Sequence, residues 1–271
     1  MLKVGGTRMM SGHWSVVAVL CFLATSAAAA EADEKNIERW DRVVFLKEVQ
    51  QEPEKKLQHT HTSSGFLVAE GGQYCLITAG HGAEKTSPKT EIYFRSPEGK
   101  TAKVLLGDIT ADQGDPWHRH LQADLAVARV AIRENSPEAV QQLFALAIPM
   151  EDLLATSPRR TTAIEVTGFP MRLGLKPAIS PLVMTGRVAS RELPISAKWG
   201  DETIVLAQAA IAPGISGGAV FAEEPSPDKC RVVGMCIGFL MDNRTEVKLA
   251  KIVPSHILMD FMRQEFPPPA N

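Results

Sequence analysis

A serine, a histidine and an aspartate in this chain could together catalyse nucleophilic acyl transfer. The serine is Ser216, in the segment 213–218, Pro-Gly-Ile-Ser-Gly-Gly. Flanking glycines suit a tight turn better than a core strand or a helix, and such a turn exposes a hydroxyl while directing backbone N–H groups at one point. Acyl transfer needs both features, because the attacked carbonyl becomes an oxyanion that amide donors stabilise.

A histidine follows one predicted strand, and an aspartate directly precedes another. His81 follows the apolar run 75–78 on a turn of small residues, Ala79 and Gly80. Asp124 stands immediately before the apolar run Leu-Ala-Val-Ala. A carboxylate at the start of a buried strand needs a hydrogen-bond donor, and an imidazole N–H is a suitable one. We therefore expect His81 and Asp124 to pair at one edge of a sheet.

Other acids and histidines compete for these roles. Asp108, Asp112 and Asp115 are alternative acids, but the last two lie in the polar loop 111–120, so Asp124 is favoured. Two His-x-His pairs, at 59–61 and 118–120, suggest a metal site as another interpretation. Neither pair has a cysteine or carboxylate at a convincing ligand spacing, so we expect solvated loop histidines and no metal or other cofactor.

The spacing of apolar runs predicts an all-β chain with one helix in the middle and one at the end. Short strands separated by Gly and Pro turns favour an antiparallel barrel or sandwich over alternating α/β structure. The segment 51–60 is polar and reads as a loop, 137–154 contains a short or broken helix, and 255–266 reads as a helix with Ser255 as its N-cap. Predicted strands lie at 43–46, 65–69, 74–78, 91–94, 101–106, 124–132, 163–166, 182–188, 203–207, 219–221, 231–238 and 247–253.

The joint pattern resembles the trypsin-like, chymotrypsin-fold serine endopeptidases, and most of all their bacterial exported branch. The matching segments are Ser-Gly-Phe-Leu-Val at 64–68, Thr-Ala-Gly-His at 78–81, Asp-Leu-Ala-Val at 124–127, Gly-Phe-Pro at 168–170, Gly-Ile-Ser-Gly-Gly at 214–218 and Val-Gly-Met-Cys-Ile-Gly at 233–238. The resemblance implies two antiparallel six-stranded β-barrels with a C-terminal helix. It divides the chain into a first barrel half at 31–135, a linker with a short helix at 136–160, a second barrel half at 161–254, and a helix and tail at 255–271.

The resemblance also implies a role for each matched residue. Ser216 is the nucleophile, His81 the general base and acid, and Asp124 the residue that holds the imidazole tautomer. The backbone N–H groups of Gly214 and Ser216 form the oxyanion hole. The strand carrying Cys236, Ile237 and Gly238 binds substrate backbone, and Ala210 lies at the pocket floor.

Three departures from the family bear on specificity and activation. Ala210 offers no carboxylate to a lysine or arginine, and Cys236 stands where the family often has serine or histidine. We therefore expect a small or apolar residue before the scissile bond. The family's Ile-Val-Gly-Gly activation sequence is not found at the expected start of the mature chain, after residue 30. Activation by a freed N-terminus is therefore not expected.

The N-terminus reads as an export signal. Lys3 and Arg8 precede an apolar run at 14–23, and small residues follow up to Ala30, which predicts a signal peptide over 1–30 and a secreted or periplasmic protein. The apolar run is too short for a stable membrane anchor. A net charge of −2 argues against a nucleic-acid partner, since such proteins carry a strongly basic face.

Three cysteines follow the leader, at 75, 230 and 236. Along a strand, residues 230 and 236 are too far apart for a disulfide, whereas a pairing of Cys75 with either one stays open. The chain is expected to be an exported serine endopeptidase acting on proteins or peptides through a Ser-His-Asp triad and an acyl-enzyme. Two alternatives remain: an esterase with the same triad, and a non-catalytic relative that binds peptides or a protein partner.

Overall fold

The structure is a computed structural model that describes residues 37–52, 57–110, 114–197, 200–242, 244 and 246–267. The predicted signal peptide lies outside the described residues. Within them, no helix is long and apolar enough to cross a membrane.

The first barrel is an eight-stranded sheet with the strand order β5-β4-β1-β2-β3-β7-β6, in which β8 joins β2 by a short parallel pairing. Beyond β5, an isolated bridge between Thr110 and Val130 of β7 draws the two ends of the sheet together. Its strands are β1 (Val43–Glu52), β2 (Leu57–Glu70), β3 (Gln73–Thr78), β4 (Glu91–Arg95), β5 (Thr101–Leu105), β6 (Trp117–Arg119), β7 (Ala126–Val130) and β8 (Ile148–Pro149).

The expectation of a loop over 51–60 is wrong. Strands β1 and β2 continue into this segment, with Gln51 paired to Gln58 and Glu52 paired to Leu57. The described side chains here are solvated, as in Gln51 and Gln58. A ribbon without a buried face has no apolar alternation, so its sequence looks like that of a loop.

The second barrel closes on itself. Its strand order is β10-β9-β13-β14-β15-β12-β11, and β10 also pairs with β12. Its strands are β9 (Ala163–Gly168), β10 (Leu182–Val188), β11 (Leu193–Ala197), β12 (Gly200–Ala209), β13 (Ala219–Ala222), β14 (Val232–Met241) and β15 (Lys248–Pro254). The predicted pair of antiparallel barrels is confirmed, with short strands such as β6, β8 and β11 in addition to those expected.

Four α-helices connect or cover the barrels in the described chain: α1 (Gly80–Ala83), α2 (Leu106–Ile109), α3 (Glu138–Phe144) and α4 (Ser255–Glu265). Helix α4 packs Leu258, Phe261 and Met262 into a core shared by both barrels. Ser255 is the first residue of α4 and not its N-cap as expected, because its buried hydroxyl donates to the carbonyl oxygen of Leu154 (2.6 Å). Pro254 occupies the N-cap position.

The segment before β1 reaches across to the second barrel. Arg39 is only 2% exposed, and its guanidinium donates to the carboxylate of Glu165 in β9 at 2.9 Å. The Trp40 indole N–H donates to the same carboxylate oxygen at 2.7 Å. A buried charge needs such pairing, since an unpaired guanidinium would lose its hydration without compensation. We name the contacts of Arg39 and Trp40 with Glu165 the N-terminal clasp.

Candidate active site

His81 and Asp124 form a closely bonded pair, as the sequence predicted. The imidazole Nδ1 lies 2.6 Å from Oδ2 of Asp124, and the backbone N–H of His81 donates to Oδ1 at 2.8 Å. Asp124 lies just before β7 with 6% of its side chain exposed, whereas 42% of the His81 side chain is exposed. Helix α1 presents both donors of His81 to one carboxylate, so Asp124 fixes the ring and leaves Nε2 free to act on a ligand.

The competing acids are engaged elsewhere or lie outside the described residues. Asp108 accepts a hydrogen bond from the backbone N–H of Leu105, and Asp115 pairs with Arg119 at 2.6 Å. Asp112 is one of the residues that the structure does not describe. Of the described candidates, only Asp124 bonds to His81.

Ser216 lies just before β13 of the second barrel, on a turn that contacts the first barrel. Its carbonyl oxygen accepts a hydrogen bond from the backbone N–H of Ser64 in β2 (2.8 Å). Next to it, Gly217 has φ of +89°, and an added Cβ there would lie 2.0 Å from the carbonyl oxygen of Ser64. Position 217 therefore has to be glycine, since any side chain would displace the Ser216 turn from the first barrel.

The segments that carry His81 and Ser216 meet at the hydroxyl of Thr78. A Cβ added at Gly82 would lie 3.5 Å from Thr78 Oγ1, and one added at Gly217 would lie 2.5 Å from the same atom. The chain neighbours of His81 and of Ser216 thus pack on one side chain. Among the described residues, the Ser216 hydroxyl makes no hydrogen bond with His81, and such bonds often tighten only when substrate binds.

Two backbone N–H groups on the Ser216 turn have no acceptor within the described part of the chain: those of Gly214 and Ser216. The carbonyl of Pro213 accepts a hydrogen bond from the N–H of Met171 at 2.7 Å. Because a trans peptide directs its C=O and N–H to opposite sides, this bond turns the N–H of Gly214 away from Met171. Gly214 itself has φ of +100°, a conformation that suits glycine.

Ser64 is a site residue whose hydroxyl the sequence did not reveal. It is 0% exposed, donates from its Oγ to the carbonyl of Gly214 at 2.9 Å, and accepts at Oγ from the N–H of Phe169 at 3.1 Å. Its own carbonyl accepts from the Thr78 hydroxyl at 2.7 Å. Ser64 therefore links the turn of the second barrel to two strands of the first.

The residues expected to bind substrate lie in different environments. Cys236 is buried, and its backbone N–H and C=O already bond to Gly218 and Gly217. Pairing between β13 and β14 ends at Met235. From Ile237 and Gly238 onward, β14 pairs with β15 along one edge, and the opposite edge has no strand beside it in the described structure. Ala210 is exposed just after β12.

A cavity of about 350 Å³ opens beside His81 on the first barrel. Ser63 and Thr86 line it, and so does Glu48, whose buried carboxylate accepts hydrogen bonds from the hydroxyls of Ser87 (3.0 Å) and Thr90 (2.5 Å). The imidazole of His81 therefore borders space into which part of a ligand can extend.

The three described cysteines are free thiols, so the disulfide that the sequence left open for Cys75 is not formed. Burial raises the pKa of Cys75 to about 12 and that of Cys236 to about 11. Because only the thiolate reacts, we expect iodoacetamide at pH 8 to leave both residues unmodified in the folded protein and to alkylate both after denaturation. Peptide mapping by mass spectrometry measures this, and alkylation of folded Cys236 would contradict its burial.

Comparison with known proteins identifies the family. The family model for the trypsin-like peptidase domain matches residues 63–235, which include His81, Asp124 and Ser216. The chain belongs to the trypsin-like peptidase family. It is accordingly a serine-type peptidase, a hydrolase of peptides or proteins. No curated protein sequence matches the chain.

Solved structures of two proteases show the same fold. The apo protease domain of MamO from Magnetospirillum magneticum is 16% identical with a TM-score of 0.55, over 83% of this chain and 97% of that one. A variant of the HtrA-type protease AlgW, solved with a tripeptide, is 15% identical with a TM-score of 0.52. That alignment covers 88% of this chain and 63% of the AlgW chain, so the chain spans less than two thirds of that protein.

Proposed function

We propose that this trypsin-like peptidase is an exported endopeptidase that cleaves peptide bonds with Ser216, His81 and Asp124 through an acyl-enzyme. The observation that carries the proposal is the bonding of one buried carboxylate to both donors of His81. With the proton held on Nδ1 by Asp124, Nε2 is an acceptor and can serve as a base.

In the first half of the proposed reaction, His81 Nε2 removes the proton of the Ser216 hydroxyl as its oxygen attacks the scissile carbonyl. The carbonyl π-electrons move onto oxygen, and the N–H groups of Gly214 and Ser216 stabilise the resulting oxyanion. The intermediate then collapses, the C–N bond breaks, and His81 returns the proton to the leaving amine.

In the second half, water replaces the amine. His81 takes a proton from the water while the water oxygen attacks the ester of Ser216. When the second intermediate collapses, His81 returns the proton to the serine oxygen. The products are a carboxylic acid, which then releases its proton to water, and free Ser216. Substrate backbone would pair with the open edge of β14 from Ile237 onward, since extended peptides add readily to unpaired strand edges.

Activity-based labelling tests the proposal. We expect a fluorophosphonate probe to label Ser216 of the folded protein, and a protein substrate such as casein to be cut at internal bonds, as seen by mass spectrometry of the products. Absence of labelling in folded protein would remove support for the serine mechanism. Labelling with turnover of simple esters but of no peptide would indicate an esterase.

Export is tested separately. We expect the full-length chain, produced in a bacterial host, to be recovered outside the cytoplasm with a new N-terminus near Glu31, because the segment 1–30 has the pattern of a signal peptide. N-terminal sequencing of the fractionated protein measures the cleavage. Recovery of the uncleaved chain in the cytoplasm alone would contradict export.

Substrate preference follows from the lack of a carboxylate at Ala210. We expect fluorogenic peptides with alanine or valine before the scissile bond to be cleaved with a higher kcat/KM than peptides with lysine or arginine there. An unpaired cation in the pocket would lose hydration without gaining a counter-charge. Matched peptides that differ only at this residue provide the measurement, and a preference for arginine would assign the pocket to other residues.

Ser64 is proposed as a positioning residue for the oxyanion hole. We expect Ser64→Ala to lower kcat by roughly 10- to 100-fold with a smaller effect on KM, because the Gly214 carbonyl and the Phe169 N–H lose their buried partner. The unfolding free energy should fall by about 1–3 kcal/mol for the same reason.

A matched variant separates positioning from stability. Ser255 is another fully buried serine whose hydroxyl donates to a backbone carbonyl, that of Leu154, at the start of α4. Ser255→Ala should lower the melting temperature by a similar amount without changing kcat. Equal kcat losses in the two variants would show that Ser64 acts only through stability.

A further inference from the structure

A groove on the second barrel is lined by arginines and lies away from the candidate triad. It has a volume of about 1,100 Å³ and runs between the segment before β9 and the end of β10. Four of the side chains that line it are Arg159, Arg160, Arg187 and Arg191, all of them exposed. We name it the arginine groove.

The charge of the arginine groove is largely uncompensated. Within the described part of the chain, none of its four arginines forms an ion pair; Arg187 donates only to the carbonyl of Thr161 at 3.1 Å. The one acid in the lining, Glu192, is already bonded to the hydroxyl of Ser157 and lies 3.5 Å from His256 Nε2. Most guanidinium N–H groups in the groove are thus free to bind an anion.

The shape and composition of the groove narrow the class of ligand. Guanidinium groups pair with planar carboxylates through two parallel hydrogen bonds. The groove is far larger than a single inorganic anion, and none of the described residues that line it is aromatic, whereas sites for single-stranded nucleic acid use aromatic rings as stacking platforms. Because this family acts on polypeptides, a protein segment rich in aspartate or glutamate fits best.

The groove and the candidate catalytic turn lie at opposite ends of β9. Arg187 pairs with Ala163 at the start of the strand, and Phe169, just past its end, donates to Ser64 beside the nucleophile turn. Five residues at about 3.3 Å each separate the two ends by roughly 17 Å. A short extended segment can span this distance, so the groove and the cleft could hold parts of one polypeptide.

We propose that the arginine groove is an exosite that binds an acidic segment of a polypeptide. The inference uses the family's action on peptides or proteins and does not depend on the triad. It is measured as equilibrium binding of a peptide that need not be cleaved, so failure of the proposed catalytic roles and failure of the exosite give different results.

Fluorescence anisotropy with labelled peptides tests the exosite. We expect an oligoglutamate peptide to bind the wild-type protein, to bind more weakly as salt rises, and to bind at least about tenfold more tightly than oligoglutamine. The triple variant Arg159→Gln, Arg160→Gln, Arg187→Gln should lose this preference while keeping its melting temperature and its cleavage of neutral peptides.

Arg133→Gln is the matched control. Arg133 is also exposed and also donates to a backbone carbonyl, that of Thr110, but it lies on the first barrel. The Arg133→Gln variant should bind oligoglutamate as the wild type does. Equal binding of oligoglutamate and oligoglutamine, unchanged binding by the triple variant, or more efficient competition by oligothymidylate or inorganic phosphate than by acidic peptide would each overturn the proposal.

Discussion

Ser216→Ala is expected to lower kcat on the order of 10⁶-fold and to abolish fluorophosphonate labelling, while the melting temperature stays close to that of the wild type. Alanine removes only the hydroxyl, and no hydrogen bond of that hydroxyl is found among the described residues. The backbone contacts that hold the turn, such as the bond between Ser216 O and Ser64 N, do not involve the side chain. Loss of chemistry without loss of fold is therefore the expected result.

The measurement combines active-site labelling, peptide hydrolysis and thermal unfolding of the same preparations. Ser63→Ala is a useful comparison, because Ser63 is a buried serine beside the cavity that borders His81 and has no proposed chemical role. It should retain labelling. If Ser216→Ala kept more than a trace of wild-type kcat, the nucleophile would be another residue.

Asp124→Asn is expected to lower kcat by about 10⁴-fold with little change in the fold. The carboxylate accepts from the backbone N–H of His81 at Oδ1 and bonds Nδ1 at Oδ2. An asparagine has only one acceptor oxygen, which the fixed backbone N–H will claim. Its NH₂ then faces Nδ1, and this forces the imidazole proton onto Nε2, where the base is needed.

The control for this prediction is Asp108→Asn. Asp108 was a competing candidate from sequence, and its carboxylate accepts only from the backbone N–H of Leu105 among the described contacts. It should leave kcat unchanged. A pH profile of kcat/KM tests the tautomer argument further, because activity of Asp124→Asn should recover in part at alkaline pH, where solvent hydroxide can substitute for the base. Equal losses in the two variants would falsify the assignment of Asp124.

Local sequence was sufficient to predict the parts of the site that depend on strand ends. Asp124 stands directly before an apolar strand, and His81 directly after one, so their pairing across β3 and β7 follows from the patterns alone. The antiparallel all-β architecture follows from the number and spacing of short apolar runs, and the resemblance of the short motifs to the trypsin-like family implies the two barrels. These predictions succeeded because each depends on a pattern within a few residues.

Contacts between distant segments could not be predicted in this way. Nothing near Ser64 indicates that its hydroxyl bonds Gly214, which is 150 residues away. Arg39 looks like a surface residue, yet it is buried against Glu165, 126 positions later. Strand β11 was missed because Pro194 argues against a strand, although proline is tolerated at the sheet edge where β11 lies.

The hydrogen bond from the backbone N–H of Ser64 to the carbonyl of Ser216 has a consequence for a chain that is only partly folded. The turn that carries Ser216 belongs to the second barrel, but β2 of the first barrel holds its backbone. A chain in which only one barrel has formed has no partner for that turn. Such a chain could not cleave neighbouring polypeptides. Proteolytic activity would arise only when both barrels have assembled, and this order would protect the newly made protein from cleaving itself.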